Sequence, residues 1–237
     1  VESMVRRVVE LNRENVPAPP GALYLRPTLI GTEANIGAAG TPSAQALLYV
    51  LAAPVGDYFA GGGRALTILI EDHEMRSTPG FGQAKTGGNY ASALRHVINA
   101  RAAHGADQVL FCPDGDVQET GASNFFLLDD DRLMTKPLAS TFLHGVTRDC
   151  VITLARHLGY EVIERNFTVA ELKDWIRVGE AALSGTAAVL AGVGAFIHNG
   201  TTYTVADGRV GPNTLRLREA LTAIQSGAVE DRFGWLT

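Results

Sequence analysis

Apolar residues recur with helical spacing in several stretches of the chain. Met4, Val8 and Leu11 fall at i, i+4 and i+7, which predicts an amphipathic helix over the first dozen residues, ended by Pro17, Pro19, Pro20 and Gly21. A helix from about Asn89 to Ala103 places Leu94, Val97, Ile98 and Ala102 on one face. Another, roughly Thr147 to Leu158, aligns Val151, Leu154, Ala155 and Leu158 and stops at Gly159. A last one, Asn213 to Ser226, aligns Leu217, Leu221 and Ile224 and ends at Gly227. Thr168 with Glu171 is a capping-box signature for a further helix.

Between these lie short apolar runs of strand length: Leu23 to Ile30, Ala46 to Ala53, Ala65 to Ile70, Gln108 to Cys112, Asn124 to Leu128 and Glu161 to Phe167. Residues 54–64 end in three glycines and an arginine, a composition that cannot pack a core and suits an exposed linker. The pattern predicts a mixed α and β protein in two unequal parts: 1–54, then a linker over 55–64, then 65–237.

Composition narrows the function classes. Apolar residues make up 46% of 237 and charged residues 19%, an ordinary globular balance. The formal charge is −5 and the basic residues are scattered, which disfavours a nucleic-acid footprint. No apolar run reaches membrane-spanning length, and Val1–Arg7 is no signal peptide, so a cytoplasmic location is expected. Cys112 and Cys150 lie far apart without metal-ligand spacing and read as two free thiols. The chain opens on Val within a helical pattern, which reads as a fragment or a processed chain.

Candidate chemistry begins with Lys85, in Ala84-Lys85-Thr86-Gly87-Gly88-Asn89-Tyr90, where glycines leave room around an amine nucleophile. By itself, a lysine in a glycine-rich loop is usually a solvated surface residue. The phosphate-loop spacing is not met, since Ala84 precedes Lys85. Glu119 opens Glu119-Thr120-Gly121-Ala122-Ser123-Asn124-Phe125. His144-Gly145-Val146-Thr147-Arg148 opens a helix whose free N–H groups favour an anion. Ser184-Gly185-Thr186-Ala187-Ala188 is a small-residue turn with hydroxyls. Tyr24 and Arg26 share one face of a strand. Singly, each has a bland counterpart: a turn carboxylate, a helix cap, a core hydroxyl, a surface cation.

Together, these ordered motifs resemble the branched-chain amino-acid aminotransferases, which are fold-type IV pyridoxal-phosphate enzymes. The resemblance runs from about Val5 to Trp235 and includes Leu23–Pro27, Ala53–Phe59 and Asp231–Trp235. It implies a mixed α and β fold with part of a small α/β domain and a larger pseudo-barrel domain that binds the cofactor. It also implies that Lys85 carries pyridoxal 5′-phosphate as a Schiff base and moves a substrate proton. Glu119 would bind the pyridine nitrogen and Tyr90 the ring oxygen. Val146, Thr147 and Thr186 would hold the phosphate, with Arg76 and Arg148 as further candidates. Tyr24, Thr186 and Ala187 would meet the substrate carboxylate, Arg26 the side-chain carboxylate of glutamate, and Tyr58 an aliphatic side chain.

The implied partners are amino-acid and 2-oxo-acid substrates, 2-oxoglutarate among them, and a second copy in a homodimer; the family's properties imply neither nucleic acid nor membrane. A D-amino-acid aminotransferase, an aminodeoxychorismate lyase and a cofactor-binding but inactive homologue are the alternatives. The chain departs from the family pattern in several places. The family's small domain begins well upstream of Val1 and carries an arginine for the cofactor phosphate and aromatic pocket residues. His144 and Gly192 stand where prolines are usual, and Ala188 and Ala191 stand at the places of a redox cysteine pair found in mammalian relatives.

Overall fold

The computed structural model describes residues 1–18, 21–35, 37, 40–56 and 63–236. The chain divides into two compact units, Val1–Ala60 and Gly61–Thr237. Most of the expected linker, including Tyr58, lies outside the described residues.

The first unit is a helix with a hairpin. Helix α1 (Glu2–Leu11) lies against an antiparallel pair, β1 (Ala22–Gly31) and β2 (Ala46–Val55). No α1 residue is fully buried, and the half-buried positions are Val5, Val8 and Val9, while Met4 and Leu11 are exposed. The helix that the pattern predicts is present, but only Val8 of its expected apolar face turns inward. The near-continuous apolar run of β2 likewise has no fully buried residue.

The second unit holds the core. Its strands are β3 (Leu66–Glu71), β4 (Gln108–Phe111), β5 (Asn124–Leu128), β6 (Arg132–Thr135), β7 (Glu161–Glu164), β8 (Glu180–Gly185), β9 (Val189–His198) and β10 (Thr201–Thr204). They form one mixed sheet in the order β4-β3-β9-β8-β5-β6-β7, with β10 paired to β9. The helices are α2 (Gly87–His104), α3 (Val146–His157), α4 (Val169–Trp175) and α5 (Pro212–Gln225). Two right-sized crossovers frame the sheet: β3 and β4 are parallel and joined through α2, and β6 and β7 are parallel and joined through α3. The loops that lead into α2 and α3, residues 72–86 and 136–145, are the segments that build the site. No described helix is long and apolar enough to cross a membrane.

Several elements form for reasons the residues make plain. Thr168 and Glu171 make the reciprocal capping box of α4, Thr168 Oγ1 accepting from the Glu171 N–H at 3.2 Å and Glu171 Oε2 from the Thr168 N–H at 2.9 Å. Gly159 and Gly227 take left-handed angles just past α3 and α5. Val151, Leu154 and Ala155 of α3 and Leu217, Leu221 and Ile224 of α5 are buried in one cluster with Phe126, Leu128 and Leu133 of the sheet.

The buried face of α2 differs from the expected one. Ala93, Ala100 and the half-buried Val97 pack against Val109 and Phe111 of β4. Leu94 and Ile98 point to solvent, 56% and 57% exposed. Small side chains let the helix approach closely: a Cβ on Gly121 would already stand 3.3 Å from both Ala93 Cβ and Val97 Cγ2. The apolar stripe one residue further round is left outside.

Candidate active site

The site is assembled by hydrogen bonds between two loops and a turn, all in the second unit. Asn89, in the first turn of α2, donates through Nδ2 to the Phe81 and Ala84 carbonyls at 2.9 and 3.0 Å, so it folds residues 81–86 back on the helix. This loop is fastened to the loop before α3. Gly80 and Gly82 donate to the Ser140 carbonyl at 3.1 and 3.0 Å, and Ser77 Oγ to the Thr141 carbonyl at 2.8 Å. Lys85 emerges at the end of the fastened loop. Its Nζ lies 2.6 Å from Tyr90 Oη and 4.7 Å from the centre of that ring.

Opposite the lysine, residues 118–121 run antiparallel to β4, the Phe111 N–H donating to the Glu119 carbonyl at 3.0 Å and the Gln118 N–H to the Phe111 carbonyl at 3.1 Å. A turn closed by Thr120 and Ser123 then brings Asn124 beside Glu119. Glu119 is 2% exposed. Its Oε1 accepts from the Leu143 N–H at 3.1 Å and its Oε2 from Asn124 Nδ2 at 3.1 Å. Arg76, also 2% exposed, brings Nη1 to 2.7 Å from Glu119 Oε1, a close ionic contact that is not aligned as a hydrogen bond, and donates through Nε to the Gly121 carbonyl at 3.1 Å. Burial pushes the Glu119 carboxyl up to about 8, against the pull of the Arg76 charge, the Leu143 N–H and the Lys85 charge.

The third wall is the start of α3. Gly145 is its N-cap and supplies no side-chain cap, so the first-turn N–H groups of Val146 and Thr147 have no intrahelical acceptor. A Cβ on Gly145 would stand 2.2 Å from Asn124 Oδ1, which is why the position accommodates nothing larger. The turn between β8 and β9 completes the ring with Ser184, Gly185 and Thr186. The Ser184 hydroxyl is buried and has no hydrogen-bond partner. Val189, which ends this turn, holds φ at 54°, a strained angle for a β-branched residue. The cavity between these walls measures about 200 Å³.

One end of the cavity thus offers uncapped helical N–H groups and small hydroxyls, suited to an anion, while the middle offers an amine, a phenol and a buried acid. The sequence pattern of the amino-transferase class IV family matches residues 1–196. The chain belongs to that family. Among proteins similar to this class IV chain is the "probable branched-chain-amino-acid aminotransferase" of Streptomyces coelicolor, 39% identical over 93% of the chain and 63% of that protein. A crystal structure of the Escherichia coli branched-chain amino acid aminotransferase superposes with a TM-score of 0.80 at 30% identity, covering 98% of this chain and 73% of that one. A Thermobaculum terrenum branched-chain aminotransferase "in PLP-form" gives 0.78 at 25% identity, with coverages of 98% and 73%. The class IV chain spans a little under two thirds of the Streptomyces protein's length. The mixed α and β fold, in the fold-type IV architecture, follows from these matches and from the sheet.

The structure brings Lys85, Tyr90, Glu119, Val146, Thr147 and Thr186 around one cavity. Ala187 is exposed beside Thr186 and does not line it. Tyr24 and Arg26 lie on one face of β1 in the first unit, Arg26 Nη2 donating to Tyr24 Oη at 3.2 Å. Two candidates for the phosphate are reassigned. Arg76 is committed to Glu119. Arg148 is buried and turned outward from the helix start, donating to the Lys136 carbonyl at 2.8 Å and to Glu164 Oε2 at 2.9 Å. Gly192, noted for replacing a proline, sits in β9 opposite Ala182, where a Cβ would meet Val210 Cγ1 at 2.6 Å. Sequence reading missed the supporting roles of Asn89, Asn124 and Gly82, because nothing in a linear pattern marks which carbonyl an amide will reach.

Proposed function

We propose that the protein is a pyridoxal-phosphate-dependent aminotransferase moving an amino group between an L-branched-chain, or similar aliphatic, amino acid and 2-oxoglutarate. One juxtaposition carries this reading: the Lys85 amine on the Tyr90 hydroxyl, facing a buried acid, beside a helix start with unsatisfied N–H groups. The residues fit the cofactor. Ser184 Oγ is a buried hydroxyl lacking an acceptor, and the Val146 and Thr147 N–H groups lack one in the helix; a phosphate would satisfy all three. When bound, pyridoxal phosphate supplies an aldehyde that exchanges amines and a ring that withdraws electrons from the bond to be broken.

The protein's own groups then have separable tasks. Val146, Thr147, Ser184 and Thr186 would hold the phosphate end, and Glu119 the ring nitrogen. Tyr90 Oη orients Lys85 Nζ at 2.6 Å and would also contact the ring oxygen. Lys85 Nζ would carry the proton from the substrate's α-carbon to the cofactor carbon that bore the aldehyde, a task that needs an amine held in place by a neighbour. Leu143, Phe142 and the loop contacts behind them exclude water from the acid's side of the cavity. The Tyr24 and Arg26 assignments rest on motif likeness alone.

A homodimer in the cytoplasm belongs to the same reading. Phe81, Leu94 and Ile98 are exposed apolar side chains that a partner would cover. The test is a coupled assay of L-leucine, L-isoleucine and L-valine with 2-oxoglutarate, alongside Lys85→Ala. Turnover with L-substrates that vanishes in the variant is the expected result. Turnover with D-amino acids alone, or turnover that survives Lys85→Ala, would overturn the assignment.

A further inference from the structure

We propose that Arg76 is a positioning residue that sets the charge and aim of Glu119, an inference that rests on the pyridoxal-phosphate reading of the same cavity. Three contacts converge on this one guanidinium. Nη1 stands 2.7 Å from Glu119 Oε1, Nε is tied to the Gly121 carbonyl two residues on, and the carbon at its centre lies 5.2 Å from the Tyr90 ring centre. The guanidinium therefore touches both groups that flank the lysine: the acid by charge, and the phenol by a cation–π contact. It is nearly inaccessible to solvent, so water screens neither contact.

The charge matters because of where Glu119 sits. The ionisable groups around it are Arg76 and Lys85 from the loop before α2, Tyr90 on α2, and His144 from the loop before α3, all lining the same cavity. Burial drives the carboxyl toward its neutral form, and Arg76 is the first of the influences that hold it back. A neutral acid cannot keep a proton on a ring nitrogen. Without the guanidinium the carboxyl in the cofactor-free cavity would hold its proton to a pH still higher than about 8, while a substitution that changes the shape and keeps the charge would not raise it so. Lys85 acts on the same carboxyl as the last of the influences that lower it, behind Arg76 and the Leu143 N–H.

Carboxyl-carbon NMR of the full chain without cofactor, with the Glu119 signal assigned by its loss in Glu119→Gln, tests the charge directly. In Arg76→Met the Glu119 midpoint should rise by about one to three pH units, and in Arg76→Lys most of that rise should be absent. With pyridoxal phosphate added, Arg76→Met should lower kcat roughly 10- to 100-fold with KM little changed, and Arg76→Lys should recover much of it. An unmoved midpoint in folded Arg76→Met, or an equal rise in both variants, overturns the proposal. Should Arg76→Met and Arg76→Gln both fail to fold while Arg76→Lys folds, the requirement is for charge and the proposal stands. If all three fail, Arg76 is merely structural and the proposal falls. The cofactor-free titration depends on no activity, so it separates this inference from the aminotransferase reading.

Discussion

At Gly82 the backbones of the lysine loop and the α3 loop come close together. The angles of this glycine are ordinary, so alanine could adopt its backbone, but a Cβ there would stand 2.0 Å from the Thr141 carbonyl carbon and 2.3 Å from the Phe142 nitrogen. Both obstacles are backbone, which no rotamer change can clear. For Gly82→Ala the loops must part by more than an ångström to reach the 3.4 Å of ordinary contact. Three hydrogen bonds cross this seam: Gly80 and Gly82 to Ser140, and Ser77 to Thr141. At about 1 kcal/mol each, losing them costs roughly 3 kcal/mol. That corresponds to a fall of about 6–12 °C in Tm. Lys85 lies three residues beyond the wedge, and a displacement of an ångström at a reacting group costs about 100-fold in rate. Urea unfolding and transamination kinetics on Gly82→Ala measure both effects. If the substituted protein unfolds within about 0.5 kcal/mol of the unaltered chain and turns over equally fast, the loop seam does not position the lysine.

The buried acid gives a prediction in pH. Glu119 binds its proton up to about 8 in the folded chain, against an ordinary value of 4.5, so between those values the folded state holds more protons than the unfolded one. Stability without cofactor should therefore decline as pH rises from about 5 to 8, and Glu119→Gln should flatten that decline while losing most of the turnover. A slope unchanged by the substitution would place the titration elsewhere. Thr168→Ala removes one half of the α4 capping box and should cost about 1 kcal/mol by urea unfolding. Loss of less than a few tenths would mean that Glu171 alone suffices to cap the helix.

Much of the fold can be read from the linear pattern because its causes are local. The capping box at Thr168, the glycines that end α3 and α5, and the apolar stripe of α5 act within a turn or two of chain, and the structure has each of them. Strands β8 and β9 are different. They are buried on both faces and rich in alanine and glycine, so they show neither alternation nor a bulky β-branched run. Their identity as the centre of the sheet comes from their neighbours, β5 on one side and β3 on the other. The same holds for α2, whose buried stripe is chosen by how close β4 allows the helix to come, over the larger Leu94 and Ile98.

The site divides along the same line. Residue types and their order mark Lys85, Tyr90, Glu119, Thr147 and Thr186 as chemical candidates, since an amine, a phenol, an acid and hydroxyls are recognisable wherever they stand. What the sequence could not determine is which cation faces the acid. Arg76 and Arg148 look alike as letters near glycine-rich loops. Only the folded chain sends one to Glu119, 43 residues on, and the other to Glu164 on the far side of its helix. Ion pairing depends on distance through space and on the loss of water around both charges, and neither is written in the order of residues.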